Sequence, residues 1–101
     1  MYGLKESQIK SIQSIFANYD QIDRVLLYGS RAKGNYKTAS DIDMTLMGEH
    51  LDLTILVRIE DELDDLLLPH KIDLSIYSKI ENPELIDHIN RVGEVFYVKD
   101  A

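Results

Sequence analysis

The sequence predicts a single α/β (α+β) domain in which a small mixed β-sheet is packed by helices. Its length of 101 residues is typical of one domain, and a hydrophobic fraction of 45% suits a globular fold. Helical and strand patterns also alternate along the chain, with no internal repeat, low-complexity tract or linker. Residues 1–101 are therefore expected to form one unit with the element order helix, strand, turn, strand, helix, strand, helix, strand.

The first half of the chain predicts one helix and two strands. Residues 6–19 place apolar side chains at helical spacing, and residues 22–28 (IDRVLLY) indicate a strand that ends at Gly29. The helical stripe consists of Ile9, Ile12, Phe16 and Tyr19. Residues 42–47 (IDMTLM) indicate a second strand. The long connection between these strands excludes a two-residue hairpin.

The second half predicts the remaining helices and strands. Residues 52–68 form the longest predicted helix, with Asp52 as its N-cap and Pro69 ending it. Its apolar stripe consists of Leu56, Ile59, Leu63 and Leu66. Residues 71–77 (KIDLSIY) alternate as a third strand. Asn82 and Pro83 begin a helix that ends near Gly93, and a short strand, EVFYV, follows at 94–98.

The charge and composition narrow the function classes. Eighteen acidic residues against eleven basic ones give a net charge of −7, which opposes direct binding to nucleic acid. The chain has no cysteine, so disulfides and thiolate metal sites are excluded. No apolar run approaches the roughly 20 residues of a membrane span, and MYGLKESQIK lacks the apolar core of a signal peptide. We expect a cytoplasmic protein without membrane contact.

The stretch LYGSRAKGNYKTASDIDMTL, residues 26–45, combines a glycine-rich basic turn with a pair of aspartates. It does not match a P-loop, because Asn35 and Tyr36 follow Gly34 where lysine and Ser/Thr are required. A GxGxxG dinucleotide motif is also missing. The DxDxT motif of haloacid-dehalogenase-like phosphatases needs an apolar strand before its first aspartate, whereas Lys37, Thr38, Ala39 and Ser40 precede Asp41 here.

The spacing that remains is Gly29-Ser30, ten residues, then Asp41-x-Asp43, which is GS-x10-DxD. Over roughly residues 20–98 this pattern resembles the DNA polymerase beta-like nucleotidyltransferases, specifically their MNT-type minimal branch. The resemblance implies a polymerase-beta-like palm and a third carboxylate on a later strand. Asp73 in KIDLSIY lies where that carboxylate is expected.

The physical chemistry of this motif agrees with the resemblance. Alternate side chains of a strand share one face, so Asp41 and Asp43 can together bind hard cations such as Mg²⁺. Gly29 lets a phosphate approach the backbone, and a helix-like turn from Ser30 offers N–H groups and a hydroxyl. One half of the motif would hold a triphosphate and the other half the metal.

The resemblance assigns these residues specific roles in Mg²⁺-dependent transfer of AMP from ATP. Asp41 and Asp43 would bind two Mg²⁺ ions, and Asp73 would bind the catalytic ion and help to deprotonate the acceptor hydroxyl. Gly29 and Ser30 would hold the phosphates, assisted by two further candidates. These are Arg31 and Lys33, although exposed bases on a helical turn are more often simply solvated.

Members of the MNT-type branch are often antitoxins paired with a HEPN-domain toxin. The resemblance therefore implies a hetero-oligomer in which AMP is transferred to a toxin hydroxyl, with tyrosine expected. Two alternatives stay open: an antitoxin that only masks its toxin, and a nucleotidyltransferase acting on small molecules. An intact aspartate set argues against the first, and the lack of an acceptor domain argues against the second.

The histidines and the acidic residues of the long helix are interpreted as surface residues without a catalytic role. The three histidines, His50, His70 and His88, lack metal-ligand spacing and are expected at the surface. The acidic residues of the long helix are expected to form its solvated face, with docking of a basic partner as the alternative. They are Glu60, Asp61, Glu62, Asp64 and Asp65.

Overall fold

The computed structural model describes residues 1–37 and 40–100, and in these residues four strands form one sheet with helices on both faces. The elements are α1 (Glu6–Ala17), β1 (Arg24–Tyr28), α2 (Ser30–Lys33), β2 (Ile42–Met47), α3 (Leu53–Asp64), β3 (Ile72–Ile76), a 3-10 turn (Tyr77–Lys79), α4 (Pro83–Val92) and β4 (Glu94–Val98). The predicted order of helices and strands is confirmed.

The sheet is mixed, as predicted. Its strand order is β3-β2-β1-β4; β1 is antiparallel to both β2 and β4, whereas β3 runs parallel to β2. The parallel pair is possible because α3 forms the crossover between β2 and β3. This crossover brings the start of β3 beside the start of β2, where the aspartate pair lies.

One face of the sheet carries the hydrophobic core. Alternate residues of β2, namely Ile42, Met44 and Leu46, are fully buried and belong to one cluster with apolar residues of α1 and α3. The helical residues of that cluster are Ile12, Ile15, Phe16, Ile59 and Leu63. Helix α4 lies on the opposite face, where the ring of His88 packs on Tyr28. No helix in the described residues is long and apolar enough to cross a membrane.

The helix ends follow the predicted capping chemistry in two places. The side chain of Asp52 accepts a hydrogen bond from the N–H of Ile55 at 2.9 Å, and Asn82 accepts one from the N–H of Glu84 at 3.0 Å. Each bond satisfies a backbone donor that the first helical turn leaves without an internal partner. Both caps confirm the predicted starts of α3 and α4.

Helix α3 ends earlier than predicted. It stops at Asp64, four residues before the expected end at Leu68, and Leu67 adopts a left-handed φ of 53°. A residue that precedes proline disfavours the helical region, so Leu68 cannot close a helix against Pro69. Helix α1 likewise ends at Ala17 instead of 19, and β1 begins at Arg24 instead of 22.

The acidic residues of α3 were predicted to form a solvated face, and the structure confirms this for only some of them. Asp61, Asp64 and Asp65 are exposed, but Glu60 and Glu62 are half-buried. Glu62 accepts a hydrogen bond from the hydroxyl of Tyr19, which follows α1. Burial and the neighbouring carboxylate of Glu62 raise the pKa of Tyr19 to about 12. This contact ties α1 to α3 on the core side of the sheet.

Candidate active site

Three aspartates lie on the face of the sheet that carries α4. Asp43 on β2 is the direct partner of Asp73 on the parallel strand β3. Asp41 lies two residues before Asp43, at the entry to β2. Partners on neighbouring strands share a face, and so do alternate residues of one strand. The sheet therefore brings together the three predicted carboxylates.

The electrostatics of Asp43 show that these carboxylates interact. The pKa of Asp43 is raised by burial first, then by the negative charges of Asp73 and Asp41, while His88 lowers it. Asp41 and Asp73 are exposed. Among the described residues, however, no three acidic or histidine side chains are already grouped closely enough to hold a metal ion. The oxygen donors suit a hard divalent cation, but their side chains must turn toward it to coordinate together.

The glycine of the motif packs directly against this carboxylate cluster. Gly29 has a φ of 76°, and a Cβ atom built on it would collide with the carboxylate oxygen Oδ2 of Asp43. Helix α2 begins at the next residue, Ser30, and the N–H of Lys33 donates to the carbonyl oxygen of Gly29 at 3.1 Å. The predicted helix-like turn is thus confirmed, and it touches the aspartates.

Hydroxyl groups connect β2 and β3 beside the carboxylates. Thr45 and Ser75 each lie two residues beyond an aspartate, and the Ser75 Oγ donates to the Thr45 Oγ1 at 2.9 Å. Tyr28, the cross-strand partner of Asp43, contacts Ser75 as well. Burial, followed by the charges of Asp43 and Asp73, raises the pKa of Tyr28, whereas the Ser75 hydrogen bond opposes this effect. The network helps to fix the register that aligns Asp43 with Asp73.

The structure places Arg31 differently from its predicted role at the nucleotide. Its side chain is 2% exposed, and its guanidinium donates to the carbonyl oxygens of Tyr2 at 2.7 Å and Ser40 at 2.8 Å. It also lies over the ring of Tyr36, 5.1 Å from the centroid, and 3.2 Å from the Nδ1 atom of His70. Arg31 therefore joins the N-terminal segment to the connection that leads into Asp41. Lys33, by contrast, is exposed.

We expect Arg31→Met to destabilise the fold by about 2–3 kcal/mol, because two backbone carbonyls lose a charged donor in a buried position. Urea unfolding followed by circular dichroism measures this change. Lys33→Met on the same short helix is the matched control and should change the free energy of unfolding by less than about 0.5 kcal/mol. Equal stabilities of the two variants would contradict the structural role of Arg31.

Two of the three histidines are not the plain surface residues that were predicted. The Nε2 atom of His88 accepts a hydrogen bond from the N–H of Gly29 at 3.2 Å, and His70 contacts Arg31. His50 is exposed, as expected. A signal for His88 existed in the sequence: it lies three residues after Leu85 and four before Val92, on the inward side of α4. Metal-ligand spacing alone was the wrong criterion.

Comparison with known proteins supports the nucleotidyltransferase assignment. A family model described as "Polymerase beta, Nucleotidyltransferase" matches residues 10–101. A protein of Methanocaldococcus jannaschii named "Putative protein adenylyltransferase" is 29% identical over 82 residues, covering 73% of this chain and 78% of that protein.

Solved structures share the fold over almost the whole chain. A crystal structure described as a toxin–antitoxin with AMP-PNP superimposes with a TM-score of 0.71 at 20% identity, covering 96% of this chain and 76% of that one. A complex of tri-AMPylated Shewanella oneidensis HEPN toxin with MNT antitoxin gives a TM-score of 0.69 at 16% identity, covering 95% and 74%. At these identities the comparison shows the fold: a mixed sheet with a polymerase-beta-like arrangement of helices.

Proposed function

This chain belongs to the polymerase beta nucleotidyltransferase family, and from that premise we propose that it transfers AMP from ATP to a hydroxyl of a HEPN-domain toxin, for which it is the antitoxin. The observation that carries the proposal is the convergence of Asp43, Asp73 and Gly29. The two aspartates are register partners on parallel strands, and Gly29 abuts the Asp43 carboxylate. The groups that we propose for phosphate and metal binding thus lie side by side.

The proposed reaction exchanges one phosphoryl bond for another. The acceptor oxygen forms a bond to the α-phosphorus of ATP, the bond from that phosphorus to the bridging oxygen breaks, and pyrophosphate leaves. When bound, Mg²⁺ supplies positive charge to the phosphate oxygens and lowers the pKa of the acceptor hydroxyl. Asp41 and Asp43 would hold two such ions, and Asp73 would ligate the catalytic one. The exposed carboxylate of Asp73 would also receive the acceptor's proton.

The triphosphate would lie at the turn formed by Gly29 and Ser30. The absence of a side chain at Gly29 lets the Asp43 carboxylate lie directly against the turn, and Ser30 is half-buried at the start of α2. Lys33 is exposed on the same turn and can reach outward to a phosphate as a mobile point charge. Arg31 would stabilise the turn without contacting the phosphate, since its guanidinium donates to the carbonyl oxygens of Tyr2 and Ser40.

A protein acceptor suits the charge of this chain. Its net charge of −7 repels free RNA. A docked protein presents its hydroxyl at high effective concentration beside the carboxylates. One protein of the same fold is described in complex with tri-AMPylated HEPN toxin, and this supports a HEPN partner. We propose tyrosine as the acceptor residue.

The proposal is tested by mixing the chain with ATP, Mg²⁺ and a HEPN-domain protein, sought first in the adjacent reading frame, followed by intact mass spectrometry. We expect the partner to gain whole AMP increments, and we expect EDTA to abolish the gain because phosphoryl transfer depends on metal charge. Peptide mapping then identifies the acceptor residue. An unmodified but inhibited partner would instead establish an antitoxin that only masks its toxin. Transfer to small molecules without any partner would establish the other alternative.

A further inference from the structure

His88 on α4 contacts the phosphate turn directly. Its Nε2 atom accepts the Gly29 N–H at 3.2 Å, and its ring lies edge-on to that of Tyr28, with 6.2 Å between the ring centroids and 78° between the planes. We propose that His88 is a positioning residue of nucleotide transfer: it holds the Gly29 peptide in the orientation from which the turn binds the triphosphate. This inference rests on the proposed function and adds a residue to its site.

Gly29 needs such a restraint because glycine accepts many backbone conformations. Its φ of 76° and ψ of −157° lie in a positive-φ region that glycine enters and leaves with little steric cost and that other residues rarely adopt. The carboxylate of Asp43 occupies the space that a side chain at Gly29 would need. The Gly29 carbonyl oxygen accepts the N–H of Lys33, and the N–H of Gly29 is held by His88. The hydrogen bond to His88 therefore restrains the amide side of a residue that has little steric preference of its own.

His88 is itself fixed by the packing of α4. The next residue, Ile89, is 1% exposed, so the helix is anchored to the protein immediately beside the histidine. The Asn82 cap and Pro83 define the start of the helix, and the N–H of Gly93 closes its end by donating to the carbonyl oxygen of Ile89 at 2.7 Å. The Tyr28 ring then limits rotation of the imidazole. A well-anchored acceptor loses little entropy when it restrains its donor.

According to the proposal, the function of His88 depends on its hydrogen-bond acceptor, the Nε2 atom. Glutamine places an amide oxygen near the position of Nε2 and can accept the same N–H, whereas asparagine is too short and leucine has no acceptor. We therefore expect His88→Gln to retain nucleotide affinity and His88→Asn and His88→Leu to lose it. His50→Leu is the matched control, because His50 is an exposed histidine beyond the other end of β2.

The test is isothermal titration calorimetry of each protein with AMP-PNP and Mg²⁺. We expect the Kd to rise about tenfold in His88→Leu and His88→Asn, the effect of losing one well-placed hydrogen bond. His88→Gln should stay within about threefold of the unchanged protein, and His50→Leu should match it. Equal affinity in all variants would overturn the proposal. Tighter binding in His88→Leu would also overturn it, because the histidine would then compete with the phosphate.

The Gly29 amide provides a second readout that does not require nucleotide. In ¹⁵N-labelled protein we expect faster hydrogen exchange of this amide in His88→Leu and His88→Asn, but protection in His88→Gln. Unchanged protection in His88→Leu would refute the restraint itself. If the unmodified protein binds no AMP-PNP while protection follows this pattern, the proposed function fails and the restraint stands. A purely structural histidine would lower the melting temperature of all three variants together.

Discussion

Asp43→Asn is expected to abolish nucleotide transfer and to raise the melting temperature of the protein in the absence of divalent cations. Activity should fall by more than about a hundredfold, since changes to partners of metal ligands alone already cost 10–100-fold. Asp43 is the central member of the cluster: it pairs with Asp73 across the strands and abuts Gly29. Mass spectrometry of the proposed toxin partner measures the loss of transfer, and calorimetry measures the melting temperature.

The stabilisation follows from the direction in which the pKa of Asp43 is shifted. Burial and the charges of Asp73 and Asp41 raise this pKa, so the folded protein disfavours the ionised form relative to the unfolded chain. Ionised Asp43 therefore costs stability near neutral pH, and asparagine removes that cost. Protonation also removes it, so the difference in melting temperature between the two proteins should shrink as the pH is lowered through the raised pKa.

Asp61→Asn is the matched control, because Asp61 is exposed on α3, on the core side of the sheet. It should leave both transfer and melting temperature nearly unchanged. Addition of Mg²⁺ should stabilise the unchanged protein and the Asp61 variant, but it should stabilise Asp43→Asn much less, since a ligand at a given concentration stabilises a weakly binding protein less than a tightly binding one. Full transfer by Asp43→Asn would exclude these aspartates as the catalytic site.

The carboxylate arrangement was predictable because strand geometry is a local property. The alternation of IDMTLM fixes both the bounds of β2 and the face that Asp43 occupies. The capping residues Asp52 and Asn82 were predictable for the same reason, since a cap depends on its own helical turn. The alignment of Asp43 with Asp73 is not local, and it came from resemblance to the family.

The roles of Arg31 and His88 depend on contacts that spacing does not encode. Arg31 is buried because the carbonyl oxygens of Tyr2 and Ser40 converge on it, 29 and nine residues away in sequence. His88 reaches Gly29 across 59 residues. Arg31 was predicted as a candidate phosphate ligand or a solvated base, whereas in the tertiary structure it donates to the carbonyl oxygens of Tyr2 and Ser40. Ser40 directly precedes Asp41, one of the proposed metal ligands.

Gly29→Ala is expected to prevent both nucleotide binding and transfer. Its Cβ would collide with the Oδ2 of Asp43, so the turn or the carboxylate must move. Displacement of about 1 Å in such a site lowers activity on the order of a hundredfold. Alanine at a φ of 76° and a ψ of −157° also costs about 1–3 kcal/mol of backbone strain. Titration with AMP-PNP and Mg²⁺ measures binding, and urea unfolding measures stability.

Gly34→Ala is the control that separates the effect of the Cβ collision with Asp43 from the effect of backbone strain. Gly34 also has a positive φ, 83°, but a Cβ atom there meets no described atom within 4 Å. Its ψ of 3° lies in the left-handed helical region, so alanine there should cost about 1–2 kcal/mol of backbone strain. The ψ of −157° at Gly29 belongs to a region nearly restricted to glycine, where the strain is about 1–3 kcal/mol. Only Gly29→Ala should lose nucleotide affinity, because only that methyl group enters the space shared by the phosphate turn and Asp43. If the two variants lose affinity equally, backbone strain explains the effect and the nucleotide binds elsewhere. If Gly29→Ala binds AMP-PNP as tightly as the unchanged protein, Gly29 is not part of the phosphate site.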